Sequence, residues 1–427
     1  MKTFLSTLDV SENMNKGGCQ SQINRIQEIG EEIITPKEIE GLIGTYQTSG
    51  KRPICYDGFE PSGRIHIAQG LMKAHYIRTM VECGFDVVIW IADIFAMLNN
   101  KHKGNMDRIR TCGEYMIEVW TLYLKILNVD ASHVKFLWAS EEIAKDPTRY
   151  WQIVMHITTK FSITRFKKCT PILGRTQLEK EKNRIIKNAE KLEEQGNYKE
   201  ACEKYKKLSS IEENFSMPLS YLMYAAMQCA DIYYLKADVC QLGVDQKKVN
   251  MLAREYAAII SRENPPFIKY RPPPIIVSHH MLAGLQHSVG EDGNVEAVKM
   301  SKSDPDSAIF MDDSVIDVNR KIKKSFCRPK DIDLNPMLEY IKYIILPLKG
   351  EITVTKPEKY GGESFTFIQS EQGYDKLQTA FAEDIIHPAD LKPVVKQAIN
   401  ELLEPVREHF KNNEKAKKIL NTIKKWK

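Results

Sequence analysis

A chain of 427 residues, 43% hydrophobic and 27% charged, can bury the cores of two or three domains, and its net charge of +5 permits a nucleic-acid partner without requiring one. Nine cysteines, at 19, 55, 83, 112, 169, 202, 229, 240 and 327, form no Cys-x-x-Cys pair, which argues against a structural zinc site and suits a reducing compartment. No apolar run is long enough to span a membrane, and the polar stretch from Met1 to Asn24 has neither a signal-peptide core nor any arginine, so disorder is expected there and the cytosol as location.

Two short helices are expected before the first strand. Ile26, Ile29 and Ile33 mark one. Thr35-Pro36-Lys37-Glu38 opens the next, with Thr35 as N-cap, Pro36 at the first helical position and Glu38 closing a capping box. Pro53 to Tyr56 then reads as a buried strand. It runs into Gly58-Phe59-Glu60-Pro61-Ser62-Gly63-Arg64-Ile65-His66-Ile67-Ala68-Gln69-Gly70, where Gly58, Pro61 and Gly63 break regular structure before helical spacing begins at Ile67, Leu71 and Ala74. A strand, a tight turn and a helix N-terminus present N–H groups to an anion, and His66 in the first turn can donate to a phosphate oxygen. An ordinary strand-loop-helix with a surface histidine explains this stretch equally well on its own.

Further strands follow at Asp86–Asp93, Val134–Ala139, Ala237–Leu242 and Pro274–Ser278, with an apolar helix face of Met116, Val119, Trp120, Tyr123 and Leu124 between the first two. The alternation predicts a doubly wound α/β domain that binds ligands beyond the carboxyl ends of its strands, where Gly58 to Gln69, Asp93 and Gly243 to Gln246 fall. From Gln177 onward the texture becomes dense in Glu, Lys, Asn and Arg. The spacing of Ile185, Ile186, Ala189 and Leu192, and the turn at Gly196-Asn197, predict a charged helical hairpin inserted over 177–214. Lys299-Met300-Ser301-Lys302-Ser303-Asp304-Pro305 pairs two lysines with hydroxyls and lacks apolar periodicity, the makings of a mobile phosphate-binding loop. Beyond it the pattern turns helical. Leu391, Val394, Val395, Ala398, Ile399, Leu402, Leu403 and Val406 mark the clearest helix, which Pro405 should kink or end. Lys411 to Lys427 holds seven lysines and one glutamate, either a solvated helix or a phosphate-contacting tail.

Taken together, these stretches resemble the HIGH and KMSKS signatures of class I aminoacyl-tRNA synthetases. The first reads His66-Ile67-Ala68-Gln69, with Gln69 for the final His, and the second is intact. Tyr224-Ala225-Ala226-Met227-Gln228-Cys229-Ala230-Asp231, Gly243-Val244-Asp245-Gln246-Lys247-Lys248 and Asp57-Gly58-Phe59-Glu60-Pro61-Ser62-Gly63 narrow the resemblance to tyrosyl-tRNA synthetases of the archaeal and eukaryotic cytoplasmic type. Ala225 stands where that family usually has Pro, and Lys247 where it has Arg.

The resemblance implies a Rossmann-like doubly wound parallel sheet in a catalytic domain over 51–312, with a KMSKS loop at 297–305. N-terminal helices over 1–50 would precede it, and a helical anticodon-binding domain over 313–427 would follow. It implies that L-tyrosine is activated with ATP and transferred to tRNA(Tyr). Mg²⁺ would accompany ATP without a dedicated metal site. His66, Lys299 and Lys302 would be catalytic, meeting charge on the phosphoryl oxygens and the leaving pyrophosphate. Tyr56 and Asp231 would contact the phenolic hydroxyl, and Tyr224, Gln228 and Gln246 the amino acid's ammonium and carboxylate. Asp245 would hold the ribose, with Gly58, Glu60, Ser62, Gly63, Gln69, Gly243, Met300 and Ser301 around the nucleotide. Asp390, after His387-Pro388, would read the first anticodon base, its alternative role being a helix N-cap. Relatives are homodimers built around the insertion. A tryptophanyl-tRNA synthetase would share the fold and lack the Tyr56–Asp231 pair, a nucleotidylyltransferase would lack the C-terminal domain, and a non-catalytic paralogue would have lost Lys299 and Lys302.

Overall fold

The computed structural model describes residues 19–169, 175–214, 218–289, 295–300 and 304–426. Six strands, β1 (Glu32–Ile34), β2 (Ile54–Phe59), β3 (Asp86–Ile91), β4 (Val134–Trp138), β5 (Val239–Cys240) and β6 (Ile275–Ser278), form one sheet in the order β1-β6-β5-β2-β3-β4. All neighbours are parallel except β1, which runs antiparallel to β6. From β2 the chain winds outward through β3 to β4 and later returns through β5 to β6. The β2/β5 boundary is therefore the switch point, where the connecting loops diverge and leave a crevice.

Alternation along the strands divides the sheet's faces between two cores. Cys55, Val87, Ile89, Ile91, Val239 and Val277 pack on one side, under helices Pro36–Ser49, Lys73–Glu82 and Met106–Ile126. Tyr56, Trp90 and Cys240 pack on the other, under helices Pro147–Lys160, Leu219–Tyr234 and Lys247–Glu263. Burial on both faces is why the strands read as nearly continuous apolar runs. The first core continues past residue 312 through Met337, Ile341, Ile345, Leu391, Val395 and Leu403, so the C-terminal helices are packed against the α/β body.

Several local expectations are corrected. Ile33 belongs to a strand; the first helix stops at Glu28. Thr35 adopts a left-handed conformation (φ 62°) and its side chain caps no N–H; its hydroxyl instead donates to the Ile34 carbonyl and Glu38. The C-terminal part is not purely helical, since Glu351–Thr355 and Ser364–Ile368 pair as an antiparallel ribbon. Helix Pro388–Asn412 does not end at Pro405 but continues past it, its apolar stripe staying in register at Val406 and Phe410. Burying such side chains contributes about 1.5–3 kcal/mol each, enough to offset the roughly 3 kcal/mol that an interior proline costs.

The inserted segment forms helices Arg175–Glu194 and Tyr198–Asn214, which pack on each other with Ile185, Ala189 and Ala201 buried. The lysine-rich tail is neither free nor merely solvated. Helix Glu414–Lys424 buries Ala416, Ile419, Leu420 and Ile423 against the body, and Arg108 lies over the Trp426 ring.

Candidate functional site

A cavity of about 340 Å³ opens beyond the carboxyl ends of the strands at the switch point. It gathers Tyr56, Gly58, Glu60, Ser62, His66, Gln69, Tyr224, Gln228, Asp231, Gly243, Asp245, Gln246 and Met300 from stretches scattered along the sequence. Gly63 sits in the turn above it at φ 128°, a conformation that side chains rarely adopt. Lys299 ends the strand Val295–Lys299, while Ser301 and Lys302 lie outside the described residues. Asp390 lies elsewhere, in the first turn of helix Pro388–Asn412. Asp93 is not part of the lining. Its buried carboxylate accepts from the Ile94 and Ser140 N–H groups, both at 2.9 Å, and tethers two helix starts.

The deep end is built by helix Leu219–Tyr234. Tyr224, Gln228 and Asp231 follow at steps of four and three, which places them on one face. Asp231 is fully buried. The Tyr150 hydroxyl donates to its Oδ1 at 2.8 Å, and Oδ2 has no aligned hydrogen-bond partner among the described residues. Burial holds the Asp231 carboxyl well above its ordinary pKa, with Tyr150 and the nearby Trp90 indole pulling modestly the other way. Tyr56 is 2% exposed. Burial, then the Asp231 charge, raises its phenol far above the usual value. A Cβ on Gly58 would stand 2.9 Å from the Tyr56 hydroxyl, so the glycine keeps that group in place.

In the middle of the cavity the Gln228 amide donates to the Gln246 Oε1 at 3.0 Å, and the Gln228 Oε1 is buried without a partner among the described residues. Glu60 accepts from Asn99 at 3.1 Å and lies 3.8 Å from Lys101. A Cβ on Gly243 would stand 2.7 Å from the Asp245 carboxylate, so a side chain here would push Asp245 from its present place. The shallow end is the turn before helix Lys73–Glu82. The Gly70 N–H bonds back to the His66 carbonyl at 2.9 Å, placing His66 at the mouth of a helical turn, just ahead of its first residues.

Sequence reasoning passed over several lining residues. Lys73 and Asp57 form a buried ion pair on the cavity wall, with Lys73 also donating to the Gln241 side chain. Burial pushes Asp57 up to about 6 against the pull of that ammonium. Burial, then Lys73, pushes His279 down to about 3. Asp57 carried a readable signal, an acid inside an apolar strand. Tyr150 did not, since its spacing with Val154 and Ile157 reads as plain helix core.

Chemically, the cavity suits an elongated amphipathic ligand. A hydroxyl fits the buried acid–phenol end, an amine or carboxylate fits the amides and phenol midway, and an anion fits the glycine turn. Among the described residues no cluster of three or more His, Cys, Asp or Glu side chains could hold a metal, and no helix is long and apolar enough to cross a membrane.

The family model described as tRNA synthetases class I (W and Y) matches residues 48–190 and 189–404. The cytoplasmic tyrosine–tRNA ligase 1 of Arabidopsis thaliana is 42% identical over 401 residues, covering 94% of this chain and 87% of the relative. Tyrosine–tRNA ligase 2 of the same plant is 39% identical over 425 residues, covering all of this chain, which spans 48% of that relative's length. The structure of Leishmania major tyrosyl-tRNA synthetase in complex with tyrosinol superposes with a TM-score of 0.74 at 35% identity, covering 96% of this chain and 52% of its own.

Proposed function

The chain belongs to the class I tRNA synthetases of the tryptophan and tyrosine group, in the tyrosyl-tRNA synthetase branch, and from that premise we propose that it activates L-tyrosine with ATP and then esterifies tRNA(Tyr). The observation that carries the choice of amino acid is the buried Asp231, held by Tyr150 and set beside Tyr56 in the cavity. A phenolic O–H donates to that carboxyl and accepts from the Tyr56 hydroxyl. An indole has no oxygen to accept from the Tyr56 hydroxyl, so tryptophan would leave that buried group unpaired, at about 1–3 kcal/mol.

In the first step a tyrosine carboxylate oxygen attacks the α-phosphorus of ATP. A new O–P bond forms, the bond to the bridging oxygen breaks, and pyrophosphate leaves with its electrons. The side chains contribute position and charge. Gln228, Gln246 and Tyr224 orient the amino acid's ammonium and carboxylate, and Asp245 takes the ribose hydroxyls. Glu60, Ser62, Gln69 and Met300 border the nucleotide, with Gly58, Gly63 and Gly243 keeping the backbone low beneath it. His66 donates to the phosphoryl oxygens, where charge develops, and Lys299 and Lys302 meet the pyrophosphate. Mg²⁺ enters with ATP, bound by its phosphates. ATP–pyrophosphate exchange with each standard amino acid tests this step, followed by tRNA charging. Tyrosine alone should support exchange, and a preference for another amino acid would refute the assignment.

The C-terminal part from 313 is the proposed anticodon-binding domain. His387 accepts from the Ala389 N–H at 3.1 Å, and the Asp390 carboxylate accepts from the His387 N–H at 3.2 Å. His387 is therefore the N-cap, and Asp390 is the returning acid of a capping box. Its other oxygen can accept from the N1–H and N2–H₂ edge of guanine. Asp390→Ala should flatten the preference for guanine at the first anticodon position; an undiminished preference would leave Asp390 a capping residue only. A homodimer is proposed through the surface beside the insertion, where Trp151, Met155, Ile163 and Leu219 are 38%, 62%, 63% and 70% exposed. Met155→Glu should yield monomers in sedimentation, and an unchanged dimer would place the interface elsewhere. The cytosol is the proposed location, as for the plant relatives named cytoplasmic.

A further inference from the structure

Beyond Asp304 the chain returns along the turn carrying His66. Phe310 forms an antiparallel bridge with His66. Met311 donates its N–H to the Ile65 carbonyl at 3.0 Å, and Ile67 donates to the Ile309 carbonyl at 2.9 Å. The bridge ends on two consecutive carboxylates, Asp312 and Asp313, only 9% and 4% exposed. Arg64, two residues before His66, reaches both, with Nε 2.8 Å from Asp312 Oδ1 and Nη2 2.8 Å from Asp313 Oδ1.

The remaining cations come from the C-terminal part. Lys321 donates to Asp313 Oδ2 at 2.6 Å, and Arg407 donates to the Asp313 carbonyl at 2.8 Å. Lys424, in the last helix, places Nζ 2.8 Å from Asp312 Oδ2. Two adjacent buried carboxylates are a costly way to close a turn, since apolar residues of similar volume are often as stabilising or more so. Directional, charge-assisted bonds supply what apolar packing does not: a fixed position for the backbone on either side of His66. Arg407 also shares helix Pro388–Asn412 with Asp390. Seventeen residues of helix separate them, about 25 Å at 1.5 Å per residue.

We propose that Asp312 and Asp313 are positioning residues for His66, and that Lys424 and Arg407 carry the seating of the C-terminal helices to the turn that meets the phosphates. The inference rests on the synthetase reading, in which His66 meets the transferring phosphoryl group. A misplacement of about 1 Å at such a group can cost about 10²-fold in rate.

The test is tyrosine-dependent ATP–pyrophosphate exchange by the full chain and its Lys424→Gln and Asp312→Asn variants, with melting temperatures recorded alongside. Lys424 is half-exposed, so its variant should fold even if Asp312→Asn does not. The expected result is a kcat lower by about tenfold in Lys424→Gln and about 10²-fold in Asp312→Asn, with the KM for tyrosine within about twofold of the parent. Lys418→Gln, on the exposed side of the same helix, should keep the parental kcat. Parental kcat in Lys424→Gln, or a tyrosine KM that worsens in step with kcat, would overturn the proposal alone. A parent without tyrosine-dependent exchange would overturn the synthetase reading and this proposal with it.

Discussion

The end of the cavity that holds Asp231 is walled by the interiors of helices and strands, whereas the end that holds His66 is made of turns. Tyr56, Asp231, Tyr224 and Gln228 are at most 8% exposed. Each sits in regular structure and is fixed by close packing before any ligand arrives. At the other end Ser62 and His66 are half-buried, and Gly63 and Gly243 lie in the turns that shape the backbone. Rigid burial suits a choice between similar side chains, because a wrong ligand leaves polar groups unpaired in a place water cannot easily reach. Turns suit a triphosphate, whose charge moves as the reaction proceeds.

Asp231→Ala breaks the buried end and carries the largest expected effect. It removes the acceptor of the phenolic hydroxyl and leaves the Tyr150 hydroxyl unpaired. Losing the one of these bonds that the substrate makes, at up to about 3 kcal/mol, should lower kcat/KM for tyrosine by up to about 150-fold, while the orphaned Tyr150 hydroxyl lowers stability. ATP binding should hardly change. Steady-state exchange kinetics with each substrate varied would show it, and an equal loss against ATP would erase the division between the ends. His66→Ala breaks the turn end. Its contact strengthens as charge develops, so kcat should fall by about 10²-fold with the KM for tyrosine near the parental value. A variant impaired mainly in tyrosine binding would mean that His66 serves the amino acid.

A smaller effect sharpens the turn end through its support. His280 lines the cavity just after β6 and lies 3.4 Å from Glu31 and 3.3 Å from Glu339, stacked on Tyr343. Burial works to lower its pKa, but Glu339 and Glu31 outweigh it and hold the imidazole above its ordinary value. The native state therefore binds the proton more tightly than the unfolded chain does. The resulting stabilisation is complete below about pH 6.5, the unfolded value, and is lost as pH rises through the native one. Denaturant melts of parent and His280→Gln across that interval should differ in slope, the parent losing stability with rising pH and the variant less so. Parallel curves would show that the imidazole is not coupled to those carboxylates. The smallest effect is expected at the insertion. Replacing Leu178–Asn214 with a short Gly-Ser linker should leave exchange rates within about twofold, since the described hairpin contributes no lining residue to the cavity. Loss of soluble protein or of dimers would show that the hairpin supports the body.

The difference between the ends also governs how much could be read from the residues alone. The alternating strands and a site beyond their carboxyl ends follow from apolar runs, which are local signals, whereas Tyr224, Gln228 and Asp231 are singled out by the family resemblance. Tyr150 escapes them because its partner Asp231 is 81 residues away and its own neighbours read as core. The Lys73–Asp57 pair is hidden likewise, as only the fold brings the helix lysine over the strand acid. β1 is three residues long and owes its existence to β6, so no periodicity of its own could announce it. The docking of the last helix was half legible: Ala416, Ile419, Leu420 and Ile423 keep helical spacing, but the seven lysines drew the reading toward solvent or phosphate. Lys424 instead meets Asp312, in an Asp312–Asp313 turn whose other cations, Arg64, Lys321 and Arg407, come from three other elements, and no single stretch encodes that convergence.

The buried end is tested most directly without ATP, by calorimetric titration of the full chain with L-tyrosine, L-phenylalanine and L-tryptophan. We predict one tyrosine bound per chain. Phenylalanine should bind about 10²-fold more weakly or worse, because it leaves Asp231 and Tyr56 unpaired, and tryptophan should not bind measurably. Phenylalanine or tryptophan binding as tightly as tyrosine would contradict the assignment of Asp231 and Tyr56 as the groups that recognise the phenol.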